Sequence, residues 1–104
     1  MITTITILYS NKLGVSLVAA DSYFDWDHYE KKHMPLVAKV FGSRLIDYNV
    51  IKPSKDYHAV ATLFLDGHSD EDAYSIFLLR RDIVDFTNAN YDIILGEIAH
   101  KKER

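Results

Sequence analysis

His33 is the side chain of this 104-residue sequence best placed to do chemistry. It lies in the run Phe24-Asp25-Trp26-Asp27-His28-Tyr29-Glu30-Lys31-Lys32-His33-Met34-Pro35-Leu36, which has the marks of a capped helix. Asp25 suits an N-cap, and Phe24 before it can form the outer half of a hydrophobic staple. At about 100° per residue, Trp26, Tyr29, Leu36, Val37 and Val40 lie within roughly 60° of the His33 direction. A titratable ring on that apolar stripe must find a hydrogen-bond partner or a ligand. Two roles are open to it. One is a core histidine bonded to a carbonyl, to Tyr29 or to Glu30. The other is a group that moves a proton in a pocket, since an imidazole with a pKa of about 6.5 does so at neutral pH with little tuning.

The neighbours of His33 carry weaker signals. His28 and His33 diverge by about 140° on a regular α-helix, whereas a helical zinc pair is spaced by four residues. His28 is therefore expected to face solvent, and neither a helical metal pair nor a facial triad is expected. Tyr29, one turn before His33, can orient the imidazole or simply fill the core. Trp26, two turns before it, is core or pocket wall. On the third apolar segment His58 shares a face with Val60, Thr62 and Phe64. If the helices cover that face, His58 and Thr62 lend polarity to a pocket; otherwise His58 is partly solvated at the strand start. His68 and His100 read as surface. The stretch Asp85-Phe86-Thr87-Asn88-Ala89-Asn90 is rich in turn formers and reads as a polar loop. Its functional alternative is a rim that closes over a ligand through Asp85 and Phe86. No serine sits in a nucleophile elbow, and no P-loop or GxGxxG run is present, so hydrolase and nucleotide-binding readings have no support.

Composition narrows the classes further. The length fits one domain, residues 1–104, with a modest single core. Apolar content of 48% and charged content of 26% are those of a globular protein. A net charge of −3 with no basic run before the terminal Lys101-Lys102-Glu103-Arg104 argues against a nucleic-acid partner. The absence of cysteine excludes disulfides, thiolate chemistry and cysteine-ligated metal sites. No apolar run approaches the roughly 20 residues of a membrane span. Met1 leads directly into Ile2-Thr3-Thr4-Ile5 without a basic n-region, so a cytoplasmic location is the default expectation.

These side chains are positioned by a legible series of elements. Residues 2–9 are β-branched and apolar, as a strand requires. The first helix is expected over 25–41, ending at Gly42 as a C′ residue and kinked where Pro35 removes a backbone donor. Strands follow at 45–51 and 57–65, joined by the turn formers Lys52-Pro53-Ser54-Lys55-Asp56. A second helix is expected from Ser69, as its cap, to about Arg80, and a fourth strand over 91–98. The order β-α-β-β-α-β is that of the ferredoxin-like α+β fold, a four-stranded antiparallel sheet with two helices on one face. Two helices cover only one face. Yet strand three is apolar on both, with Ala59, Ala61, Leu63 and Leu65 against Val60 and Phe64. Strand four sets Ile93 and Leu95 against Ile94 and Ile98. An uncovered apolar sheet face is a large patch for a monomer, so a second copy is expected to cover it.

The same residues carry a resemblance. Phe24-Asp25, Tyr29 and Lys32-His33-Met34-Pro35-Leu36-Val37 resemble the signature of the ethyl tert-butyl ether degradation (EthD) family of dimeric α+β barrels. Agreement extends to Tyr9, Asn11-Lys12, Tyr48, Tyr57, Phe64-Leu65-Asp66, Asp85-Phe86-Thr87 and Gly96-Glu97-Ile98, with a longer connection over 15–23 as one departure. The resemblance implies a homodimer closed by two sheets packed face to face. It also implies a ligand held between sheet and helices, with His33 at the site and Tyr48 and Tyr57 near it. The implied function is a small-molecule enzyme of oxidative or degradative metabolism with no bound cofactor of its own. Monooxygenase, isomerase, decarboxylase or cyclase chemistry on a small apolar, aromatic or phenolic compound would fit, with His33 as acid or base. The alternatives are a non-catalytic carrier for an apolar metabolite and a haem binder with a histidine axial ligand.

Overall fold

The computed structural model describes residues 1–11 and 22–102. Lys12 and most of the arm expected over 15–23 lie outside the described residues. The alternating β-branched and apolar run at the start forms β1 (Ile2–Ser10). It is followed by β2 (Leu45–Ile51), β3 (Tyr57–Asp66) and β4 (Tyr91–Glu97). They form one sheet in the order β2-β3-β1-β4, every neighbouring pair antiparallel. Helix α1 spans residues 26–41 and helix α2 is Asp72–Phe86. The order is β-α-β-β-α-β and the class α+β, as expected. Among the described residues no helix is long and apolar enough to cross a membrane.

Helix α1 departs from the expected uniform helix. Trp26–His28 and Met34–Phe41 are α-helical, but Tyr29–His33 between them is a π turn. There the Met34 N–H donates to the Tyr29 carbonyl, five residues back. Pro35 opens the α-helical segment that follows. Its missing donor therefore falls at the change of register, where a hydrogen bond is already displaced, rather than in the middle of a regular helix.

Helix α2 also differs from expectation, starting later than Ser69 and running six residues beyond about Arg80. Leu79, Ile83 and Phe86 are all buried and continue the inward stripe. The charged residues between them lie on other sides. Ser69 belongs to the turn before the helix, where its backbone N–H donates to Asp72 Oδ2 and its Oγ accepts from the Glu71 N–H. Arg44, at the end of the α1–β2 connection, grips Asp72 through two nitrogens at 2.6 and 3.3 Å and donates to the Asp66 and Gly67 carbonyls. That guanidinium holds the Asp72 carboxyl below the usual carboxylate range.

The core lies between helices and sheet. Ile5, Ile7 and Tyr9 of β1 and Ala59, Ala61, Leu63 and Leu65 of β3 meet Val37, Phe41, Leu79, Ile83 and Phe86. Small alanines at the centre of β3 let the helices approach the sheet closely. The other face carries no helix. Register places Ile51, Val60 and Leu8 side by side on it, with Thr62, Thr6 and Ile94 in the next row. Thr62 therefore lies on the uncovered face, so the condition for its lending polarity to a pocket beneath the helices is not met.

Two short segments join the helix ends. Phe24 and Thr87 form an antiparallel bridge, and the Asp25 N–H donates to the Phe86 carbonyl at 2.7 Å. Thr87 Oγ1 donates to the Tyr23 carbonyl, and the Tyr23 N–H to Asn88 Oδ1. The stretch expected as a loop at 85–90 thus ends a helix and clasps the start of α1.

Gly42 terminates α1 at φ 57° and ψ −136°, backbone that a side chain disfavours. A Cβ there would meet nothing within 4 Å, so any cost comes from the backbone alone. Gly42→Ala is expected to destabilise the fold by about 1–3 kcal/mol, read as a lower denaturation midpoint with an unchanged slope. An unmoved midpoint would show that the helix end relaxes freely.

Candidate functional site

The π turn decides which side chains meet. The i→i+5 bond of this turn rotates the chain less per residue than an α-helix does, which swings His28 and His33 toward the same side of α1. Both rings reach Asp82, on the inner side of α2. His33 Nδ1 stands 2.8 Å from Asp82 Oδ2, and His28 Nε2 stands 3.2 and 3.3 Å from the two carboxylate oxygens. His28, expected in solvent, is therefore largely covered and shares a partner with His33. The angular count failed because it assumed an unbroken α-helix.

An ionised carboxylate only accepts, so Asp82 fixes the proton of a neutral His33 on Nδ1. Nε2 is left with its lone pair. Burial lowers the His33 pKa from the ordinary imidazole value, against the opposing pull of the Asp82 hydrogen bond and charge. At neutral pH the ring is thus an uncharged base in a single tautomer. Its faces are fixed as well. Tyr29 stacks on it at 5.3 Å between ring centroids, and Phe86 meets it edge to face at 4.7 Å. Phe24, Tyr9 and Trp26 complete an aromatic cluster around Tyr29.

Tyr29 is 2% exposed, yet its hydroxyl has no hydrogen-bond partner among the described residues. Burial pushes its phenol and that of Tyr9 well above the ordinary tyrosine range, so both remain donors. Two spaces adjoin Tyr29. A cavity of about 20 Å³ lies under the helices, lined by His33, Tyr29, Met34, Tyr9, Ile83 and Ile93 among others. It is large enough for about one water molecule. A cleft of about 390 Å³ opens outward between Trp26, Tyr29, Glu30, Met34, Tyr48, Val50 and Lys52. Tyr29 and Met34 border both.

The residues singled out in the sequence are thus only partly gathered. His33, Tyr29 and Phe86 pack together, and Trp26 and Tyr48 line the neighbouring cleft. His58 sits where the β1–β3 register shifts, its Nε2 2.7 Å from Ser22 Oγ and its ring 5.7 Å from Phe24. Desolvation lowers its pKa too. Thr62 faces away from the helices, and Asp85 is exposed at the end of α2. Asp82 and Lys52 were missed. The signal for Asp82 was available, because at about 100° per residue it falls within roughly 60° of Leu79 and Phe86. A carboxylate on an apolar stripe needs a partner just as a histidine does. Among the described residues no group of three His, Cys, Asp or Glu side chains is arranged to hold a metal ion.

No family model matches the sequence, and no curated protein matches it. Among solved structures, the chain is similar to the crystal structure of an EthD-like protein from Ralstonia eutropha, with a TM-score of 0.70. The two are 21% identical over 97% of this chain and 95% of that one. At that identity the likeness shows a shared α+β, ferredoxin-like fold.

Proposed function

We propose that this protein is a small-molecule enzyme of oxidative or degradative metabolism in which His33 acts as a general base. The observation that carries this reading is the 2.8 Å bond from His33 to Asp82, which leaves Nε2 free as the basic atom of a desolvated, neutral imidazole. A substrate with an acidic C–H or O–H would lose its proton to Nε2. The imidazolium formed would be stabilised by the Asp82 carboxylate. Tyr29, as a neutral donor, would hydrogen-bond the developing oxyanion. His28 holds the second oxygen of Asp82 and so keeps the carboxylate aimed at His33. We further propose a homodimer in which the uncovered sheet faces, with Ile51, Val60, Leu8 and Ile94, pack against each other. The EthD-like likeness supports the fold on which this rests.

One observation favours a second reading, a non-catalytic binding protein. The cavity at His33 holds about one water molecule, so a substrate reaches Nε2 only if Tyr29 or Met34 moves. A porphyrin does not fit there, with Tyr29 and Phe86 packed on the imidazole.

Turnover of phenolic and enolisable compounds separates the two readings. His33→Asn and Asp82→Asn are expected to lower kcat/KM by about 100-fold or more, with the fold retained. Equal turnover in wild type and His33→Asn would end the catalytic reading. The lowered His33 pKa also makes a stability prediction with a definite sign. Between that value and about 6.5 the unfolded chain binds a proton that the folded one does not. Stability from this group is therefore complete above about pH 6.5–7 and is lost as pH falls through the folded-state pKa. Melting temperatures from pH 8 to 5 should fall less steeply in His33→Asn than in wild type. An identical slope would place the imidazole proton elsewhere. For the dimer, sedimentation should give a mass near twice 12.0 kDa, and Ile94→Asp should yield a folded monomer. A monomeric wild type would overturn the barrel.

A further inference from the structure

The cleft outside Tyr29 has a chemistry of its own. Its aromatic side is built from Trp26, Tyr29 and Tyr48. The Lys52 ammonium lies over the Trp26 ring, 4.4 Å from its centroid. Among the described residues Lys52 forms no ion pair, so the indole face is its one recorded partner. Tyr29, which borders the cleft, carries the one buried hydroxyl that lacks a partner among the described residues.

A flat ring entering the cleft would compete with the ammonium for the face of Trp26. Displacing a cation from an indole costs the cation–π attraction, and a neutral ring returns only stacking. A ring that carries a negative charge returns more, because the displaced ammonium then pairs with the ligand. An oxygen anion would also accept the hydrogen bond that Tyr29 now lacks. Glu30, the carboxylate lining the cleft, is exposed, and its repulsion is screened by water and salt.

We propose that the Trp26–Tyr48–Lys52 cleft binds a planar aromatic anion, an aryl carboxylate or phenolate, with Lys52 as the residue that selects for charge. This rests on the reading of the adjoining His33 site as a small-molecule site, and it names the class of compound that enters. Tyr29 and Met34, which border both spaces, would be the side chains that yield to bring the ring toward His33.

Trp26 is the sole tryptophan of the chain, so its fluorescence reports on this cleft alone. The probes are 4-nitrobenzoate, 4-nitrobenzyl alcohol and 4-nitrobenzylamine, which share a quenching ring and differ in charge. Saturable quenching of the full chain is expected to be tightest for the anion, about 3–10-fold tighter than for the alcohol, and weakest for the amine. Lys52→Gln should bring anion and alcohol to equal affinity, weakening the anion and tightening the alcohol, which no longer has an ammonium to displace. Lys52→Arg should keep the preference, and raised salt should shrink it. Equal binding of all three probes, a preference that survives in Lys52→Gln, or no saturable quenching by a folded chain would each overturn the proposal. The outcome is separable from the fate of the catalytic reading. Charge selection without turnover sinks only the enzyme, and His33-dependent turnover without charge selection sinks only this cleft.

Discussion

A 2.8 Å bond from His33 Nδ1 to Asp82 Oδ2, with His28 on the same carboxylate, joins α1 to α2 among aromatic and apolar side chains. His33 has 4% of its side chain exposed and Asp82 18%. Neither group can be left alone there, since an unsatisfied buried partner costs about 1–3 kcal/mol and more when charged. Both helices must therefore hold their faces to one rotation and one offset. The clasp between Phe24 and Thr87 sets that offset from the ends of the helices. Phe86 sets it from within, packing on His33, Tyr29, Phe24 and Tyr9 at once.

The π turn is the local adjustment this bond needs. In a regular α-helix His28 and His33 point apart by about 140°, and only one of them can face Asp82. Widening Tyr29–His33 to a π turn brings both to the carboxylate. A π turn weakens the helical ladder locally. Here the proline that follows already lacks a donor, so widening and proline share one defect instead of making two. What the helix loses in its own hydrogen bonding is offset by the aromatic packing that the same turn assembles on His33.

The sequence made the fold legible because binary patterning and turn chemistry agree at every level. Strands at 2–10, 45–51 and 57–66 are rich in β-branched and apolar residues, and Gly42 stops the first helix where its stripe ends. The second helix was legible only as far as its polar residues allowed. Arg80, Arg81, Asp82 and Asp85 masked the buried positions Leu79, Ile83 and Phe86. His33 and Tyr29 were legible as a pair because one turn separates them in either helical form. Asp82 carried a signal of its own, a carboxylate on the stripe of Leu79 and Phe86, but its partner 49 residues away leaves no mark in local periodicity. The place of His28 depended on a change of helical register that propensities do not encode.

Tyr29 shows how the site and the fold pull against each other. Its ring is among the most buried in the chain and touches Tyr9, Phe24, Trp26, His33 and Phe86. A phenylalanine would make the same ring contacts without a hydroxyl that lacks a partner among the described residues. The oxygen is therefore a stability cost that packing does not repay. It lies on one of the two residues that border both the His33 cavity and the outer cleft. In the proposed function that donor would meet an acceptor arriving from outside, which would displace any water held in the cavity of about 20 Å³ beside it.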